Sequence, residues 1–309
     1  MKKCLCFLMA ILLLIPACAM AGRHEKVFLE GETDPFPEDA VLLTLRVCPQ
    51  MGADSMLLTL GEHSMLVDAG LYEHYDLVRK MLDEAGLTEL EYVYNSHPHE
   101  DHIGGVKGLL EEGFPIGTFF TVFPHDYTSA AVQQAGVLHA LERAHVPIAD
   151  LKTEDTIPFG DAQIVMYRVP DPCILSTMDC NDLSGMLLIT YGECSVLLTG
   201  DVELLSQPKL AERYDLKADI MKYPHHGIGR PHRDFLQNAD PEYIFITNGS
   251  MDTQDEQMYL RKKGYDRLTF TTWGPITMQT DGTKWIVTQE IYPSKREYVN
   301  YFWKHFWDD

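Results

Sequence analysis

His97-Pro98-His99-Glu100-Asp101-His102-Ile103-Gly104-Gly105 follows directly on an apolar run that ends at Asn95. Four side chains of metal-ligand type fall within these nine residues: His97, His99, Asp101 and His102. A strand that delivers into a tight loop, with a glycine pair and a helix behind it, aims His97 and His99 one way and Asp101 and His102 another. One turn can then serve two metal ions. Imidazole and carboxylate are the donors taken by borderline divalent ions, and three histidines and an aspartate packed this tightly are a metal-site pattern rather than a structural one.

Upstream of this segment the chain reads as short β runs at 41–47, 56–60 and 64–67, parted by Gly, Asp and Glu-Gly turns. Leu77, Val78, Met81, Leu82 and Ala85 then recur at helical spacing until Gly86 stops them, and a buried strand is expected at 92–95. Downstream, helices are expected near 106–112, 129–144 and 204–214. Strands are expected at 118–123, 162–169, 186–191, 195–198, 219–223, 243–247, 267–271, 276–280 and 285–289. Interleaved strands and helices, with no internal repeat and no shift of composition, point to one α/β domain over 22–292, a four-layer αββα sandwich. Residues 293–309 form an aromatic tail (Tyr298, Tyr301, Phe302, Trp303, Phe306, Trp307) expected to pack on that domain.

Residues 1–21 read as a targeting segment. Lys2 and Lys3 precede a short apolar run, too short to span a bilayer, and Ala19-Met20-Ala21 offers a small-residue cleavage site. The expected location is therefore outside the cytoplasm, secreted or at the cell envelope. Ile15-Pro16-Ala17-Cys18 loosely resembles a lipobox, so a membrane association through a lipidated Cys18 is the second processing route. Loss of 1–21 removes two lysines and no acid, leaving 23 Lys and Arg against 46 Asp and Glu, a formal charge of −23. Such a surface repels polyanions and disfavours long nucleic acid as a substrate, although solubility alone also explains it. Cys173 and Cys180, seven apart, either close a small disulfide ring or stay as thiols.

HxHxDH followed by Gly-Gly resembles the signature of the metallo-β-lactamase superfamily, and the likeness extends along the chain. Val67-Asp68-Ala69-Gly70 resembles that superfamily's first motif, Leu198-Thr199-Gly200-Asp201 the motif of its bridging aspartate, and Tyr223-Pro224-His225-His226-Gly227 its last-ligand motif. The resemblance implies a first metal held by His97, His99 and Asp201 and a second held by Asp101, His102, Asp201 and His225. His226 then falls to the substrate pocket, although either member of the pair can be the ligand. Two divalent ions are implied, zinc or else manganese.

The third histidine that many members place on the first metal has no counterpart, since no histidine lies between His145 and His225. Asn181-Asp182-Leu183-Ser184 instead resembles a subgroup that includes the hydrolase domain of the DNA-uptake channel protein ComEC and secreted phosphorylcholine esterases. In that reading Asn181 and Ser184 complete the first site through water or touch substrate oxygens, or simply cap a turn. Ile228 stands where that subgroup often has Ser. Arg230 and His232, just downstream, are candidates to face a substrate phosphate. His63, His74, His125, His139, His145 and His305 have no partner at ligand spacing.

The implied chemistry is hydrolysis by a metal-bridging hydroxide oriented by Asp101, with Asp201 as the bridge. The substrate expected first is a small-molecule or envelope phosphoester. A ComEC-like nuclease, a lactonase or lactamase, and a metal-binding module without turnover are the alternatives.

Overall fold

The computed structural model describes residues 26–123, 131–174, 177–248, 254–297 and 299–300. Residues 1–25, which include the expected targeting segment, the aromatic residues at 298 and from 301 onward, and His125 and His305 lie outside the described residues.

Alternation along single strands decides the layering. On strand Ser55–Leu60, Met56 and Leu58 enter one apolar cluster while Leu57 enters another. On His63–Ala69, Met65 and Val67 go one way and Leu66 and Ala69 the other. Successive side chains of a strand point to opposite faces, so a strand apolar on both faces must be covered on both. Strand Leu90–Asn95 follows suit, with Leu90 and Val93 on one side and Tyr94 on the other, whereas Leu43–Val47 sends Leu43, Leu45 and Val47 to one cluster only.

The resulting sheet orders nine strands as Val27–Leu29, Trp285–Gln289, Ile276–Thr280, Leu43–Val47, Ser55–Leu60, His63–Ala69, Leu90–Asn95, Ile116–Thr121 and Ile148–Asp150. One face packs on helices Tyr75–Glu84, Glu100–Glu112 and Ala131–Arg143. The other meets a seven-stranded sheet ordered Leu268–Phe270, Tyr243–Ile246, Ile220–Lys222, Cys194–Leu198, Met186–Tyr191, Ala162–Tyr167 and Thr156–Phe159. Helices Gln207–Arg213 and Arg233–Ala239 add Leu210, Phe235 and Leu236 to its core. The architecture is the four-layer αββα sandwich. Among the described residues no helix is long and apolar enough to cross a membrane.

The structure differs from the sequence reading in several elements. Strands Val27–Leu29, Ile148–Asp150 and Thr156–Phe159 and helices Arg233–Ala239 and Gln254–Lys262 were not anticipated. The helix expected at 204–214 runs only from Gln207 to Arg213, with Pro208 in its first turn, a position where proline's missing N–H costs nothing. Cys173 is exposed and Cys180 buried, and no disulfide joins them.

The most consequential difference is at the metal loop. The helix starts at Glu100, not near 106, so Asp101 and His102 sit in its first turn and Gly104-Gly105 inside it. The glycine pair is there for close approach rather than for turning. A Cβ on Gly105 would run into the carbonyl of Ala69, and one on Gly104 would meet the Tyr72 backbone nitrogen at 2.8 Å. Gly105 N–H in turn donates to the Gly70 carbonyl at 2.8 Å. This contact fixes the helix start against the end of strand His63–Ala69. Gly105→Ala is expected to lower the stability of the chain by roughly 1–3 kcal/mol, read from chemical denaturation, and to reduce its metal content.

Candidate metal centre

The functional side chains stand at the C-terminal ends of parallel strands, where strand-to-helix connections leave side chains free to converge. The nine-stranded sheet contributes from the parallel pair His63–Ala69 and Leu90–Asn95. The seven-stranded sheet contributes from the parallel run Cys194–Leu198, Ile220–Lys222 and Tyr243–Ile246.

Asp68, in the left-handed region at φ 53°, anchors the loop that follows Asn95. Its carboxylate accepts from Asn95 Nδ2 at 3.0 Å, Ser96 N at 2.8 Å and Ser96 Oγ at 2.7 Å, and lies 2.9 Å from His102 Nδ1. With Nδ1 so engaged, His102 turns Nε2 toward Asp201 Oδ2 at 3.1 Å. A carboxylate behind an imidazole is the usual device for fixing the tautomer and orientation of a ligating histidine.

Asp201 follows strand Cys194–Leu198 through Thr199-Gly200, and its Oδ2 is the point on which the imidazoles converge. His102 and His226 reach it at 3.1 and 3.2 Å, His97 at 3.9 Å and His225 at 4.0 Å. Asp101 Oδ2 lies 3.2 Å from His226 Nε2 and 4.0 Å from His102 Nε2. His97 Nε2 faces His99 Nδ1 at 2.9 Å, and His102 Nε2 faces His226 Nε2 at 3.3 Å. At these separations one ring of each pair can donate an N–H to the other, which leaves four imidazoles gathered in one place. Carboxylate and imidazole donors arranged about one carboxylate oxygen fit divalent metal ions.

His226 and His225 stand differently toward the cluster. Both adopt left-handed backbone, at φ 52° and φ 47°, which sends the two rings apart. His226 is the inward one: its Nδ1 meets Thr247 Oγ1 at 3.0 Å and Asp54 Oδ1 at 3.2 Å, leaving Nε2 to the cluster. His225 is at the rim, with Nδ1 2.8 Å from Glu203 Oε1 and Nε2 3.4 Å from Asn181 Nδ2. The structure thus brings His226 closer to Asp201 than His225, the ring expected there, and leaves His225 at the edge of the cluster. Two consecutive non-glycine residues in this region cost on the order of 1–3 kcal/mol each, a strain that the anchored His226 ring withstands.

Asn181 is buried beside His225 and donates to Glu203 Oε1 at 3.2 Å. Ser184, fully buried, accepts from the Asp201 backbone N–H at 3.3 Å. His232 caps helix Arg233–Ala239 by accepting from Asp234 N, and Arg230 lies over the Tyr259 ring at 5.6 Å. His63 pairs with Glu91 at 2.7 Å and His139 with Glu142 at 3.2 Å, as structural histidines do.

The sequence reading missed Asp54, Lys222 and Thr247. Asp54 supports His226 from behind and accepts from Thr247 Oγ1 at 2.6 Å, while Lys222 stands 2.6 Å from Asp54 Oδ2. Burial opposes a charged His102, and the carboxylates of Asp201 and Asp68 overcome it, pushing the imidazole up to about 10. Burial likewise opposes an ionised Asp201, and His102, His226 and Lys222 overcome it, so its carboxyl lies well below the usual range. Burial holds His97 well below the ordinary imidazole value, helped by repulsion from His102. The pocket is thus polarised for a positive occupant.

Comparison with known proteins agrees with this geometry. The sequence profile of the Metallo-beta-lactamase superfamily matches residues 49–118. Competence protein ComA of Neisseria gonorrhoeae is 23% identical over 248 residues, covering 78% of this chain and 32% of ComA. The chain thus spans about a third of that relative. Among solved structures, a CmlA beta-hydroxylase mutant aligns with TM-score 0.50 and 17% identity over 77% of this chain and 53% of its own. The metallo-beta-lactamase fold protein YhfI from Bacillus subtilis aligns with TM-score 0.50 and 14% identity over 74% of this chain and 95% of its own. These two likenesses are likenesses of fold.

His226→Ala is expected to weaken metal binding by about 100-fold or more and His225→Ala by less than about 10-fold. Elemental analysis of the two purified variants after dialysis against a weak chelator separates them.

Proposed function

We propose that this chain, a metal-dependent hydrolase of the metallo-β-lactamase superfamily, is an exported phosphodiesterase. Its metals would be held by His97, His99 and Asp201 on one side and by Asp101, His102, His226 and Asp201 on the other. Two divalent ions bound there would supply a water nucleophile near neutral pH and Lewis acidity toward the substrate's oxygens. Without a third histidine the first site has fewer nitrogen donors, which loosens its hold on zinc and opens it to manganese.

The observation that carries the phosphoester reading is the group of Asn181, His225 and Glu203 at the open edge of the cluster. Glu203 engages His225 Nδ1 at 2.8 Å and so turns Nε2 inward, 4.0 Å from Asp201 Oδ2. Asn181 Nδ2 lies beside it at 3.4 Å. These polar groups, next to the place where a scissile bond would lie, are what an oxygen-rich phosphoryl group needs. Asp101, whose side chain is 31% exposed, is placed to accept a proton from the attacking water. Ser184 acts at one remove, holding the Asp201 backbone. Export rests on the targeting character of residues 1–21, and a small-molecule or envelope phosphodiester fits the acidic surface better than a polynucleotide does.

The similarity to a competence protein favours one second reading, a nuclease on single-stranded DNA. Elemental analysis of the purified chain, together with assays on bis(p-nitrophenyl) phosphate, single-stranded DNA and nitrocefin with added zinc or manganese, separates the two. The expected outcome is bound divalent metal and diester cleavage that falls roughly 100-fold in Asp201→Asn and disappears on chelation. DNA cleavage in excess of diester cleavage would establish the nuclease, and turnover of nitrocefin alone would overturn both.

A further inference from the structure

Lys222 is a wholly buried ammonium that the chemistry above does not employ. It ends strand Ile220–Lys222 and reaches three oxygens: Asp54 Oδ2 at 2.6 Å, Asp201 Oδ1 at 3.3 Å and, as donor, the Gly200 carbonyl at 2.8 Å. Burial disfavours a charged amine, and here two buried carboxylates stand against it as ion-pair partners.

The two oxygens of Asp201 therefore have different neighbours. Oδ1 faces the ammonium, whereas Oδ2 faces His102 and His226 at 3.1 and 3.2 Å. Asp54 is held by Thr247 Oγ1 and by His226 as well as by Lys222. Neutral donors could satisfy the Asp201 Oδ1 atom equally well, yet a full positive charge is buried against the carboxylate that the metals would share. Like charges repel strongly where little water screens them.

We propose that Lys222 is a resident cation of the metal centre, a positioning residue that claims Asp201 Oδ1, leaves Oδ2 alone to the metal ions, and by its charge makes the centre bind them less tightly than its carboxylates otherwise would. The inference concerns metal affinity and does not depend on which substrate is hydrolysed.

The two roles open to Lys222 predict different signs. If it is only the partner of buried carboxylates, its removal weakens both the fold and metal binding. If it is a resident cation, its removal weakens the metal-free fold and strengthens metal binding. The experiment compares Lys222→Met and Lys222→Arg with the parent chain, measuring the melting temperature after chelator treatment and the zinc affinity by competition with a chromophoric chelator. The expected result is a lower melting temperature for Lys222→Met with zinc bound at least ~10-fold tighter, and near-parent values of both for Lys222→Arg. Unchanged or weaker zinc binding in Lys222→Met would overturn the proposal. Should that variant fail to fold without metal, Asp54→Asn/Lys222→Met is compared with Asp54→Asn, which has lost the same orphaned carboxylate. Tighter zinc in the double variant supports the proposal, and equal or weaker zinc overturns it.

Discussion

Three carboxylates, Asp54, Asp68 and Asp201, are buried within one small region of the sandwich. An ionised carboxylate out of water is costly unless compensated, and the surrounding structure is organised around that compensation. Asp68 is satisfied by the loop it anchors, Asp54 by Lys222, Thr247 and His226, and Asp201 by Lys222 on one oxygen and imidazoles on the other. Asp101 adds a carboxylate with one edge exposed beside the imidazoles on Asp201 Oδ2.

The compensation also explains where the backbone departs from ordinary conformations. Asp68, His225 and His226 all have positive φ, and each stands where a strand of one sheet must hand a side chain to the cluster. The parallel register with Leu90–Asn95 runs as far as Val67, and Asp68 turns out of it to stand under His102. The strain at these positions is tolerated because several hydrogen bonds over-determine each residue.

Much of this was legible in the sequence, for identifiable reasons. The cluster His97, His99, Asp101 and His102, with Asp68 and Asp201 at strand ends, is dense in residue types that seldom occur together by accident. The two-sided apolar strands that specify a covered sheet are written as short unbroken apolar runs, Met56-Leu57-Leu58 and Met65-Leu66-Val67. Asp54, Lys222 and Thr247 were illegible because each is a single common residue whose partner lies far along the chain, 193 positions away in the case of Thr247 and Asp54. The order of His225 and His226 depends on backbone angles that residue identity does not reveal. The short strands at Val27–Leu29 and Ile148–Asp150 lie at sheet edges, where three residues with one neighbour carry little pattern. The true start of the metal helix was hidden because Gly104-Gly105 reads as a breaker, whereas tight packing against Ala69 makes it a requirement.

The first sheet closes on strands from the far end of the chain. Ile276–Thr280 lies against Leu43–Val47, and Trp285–Gln289 joins Val27–Leu29 to that pair. On a ribosome, the loop that bears His97 to His102 emerges long before those last strands exist to complete the sheet behind it. The partners of its ligands, Asp201 and His226, come from the other sheet and also arrive later. Contacts of such high sequence separation form slowly, and unpaired strand edges are prone to wrong pairing in the interval. A nascent chain of this topology meets metal ions with half of its ligands in hand and no pocket to hold them, so the finished centre is a product of complete synthesis rather than a seed for it.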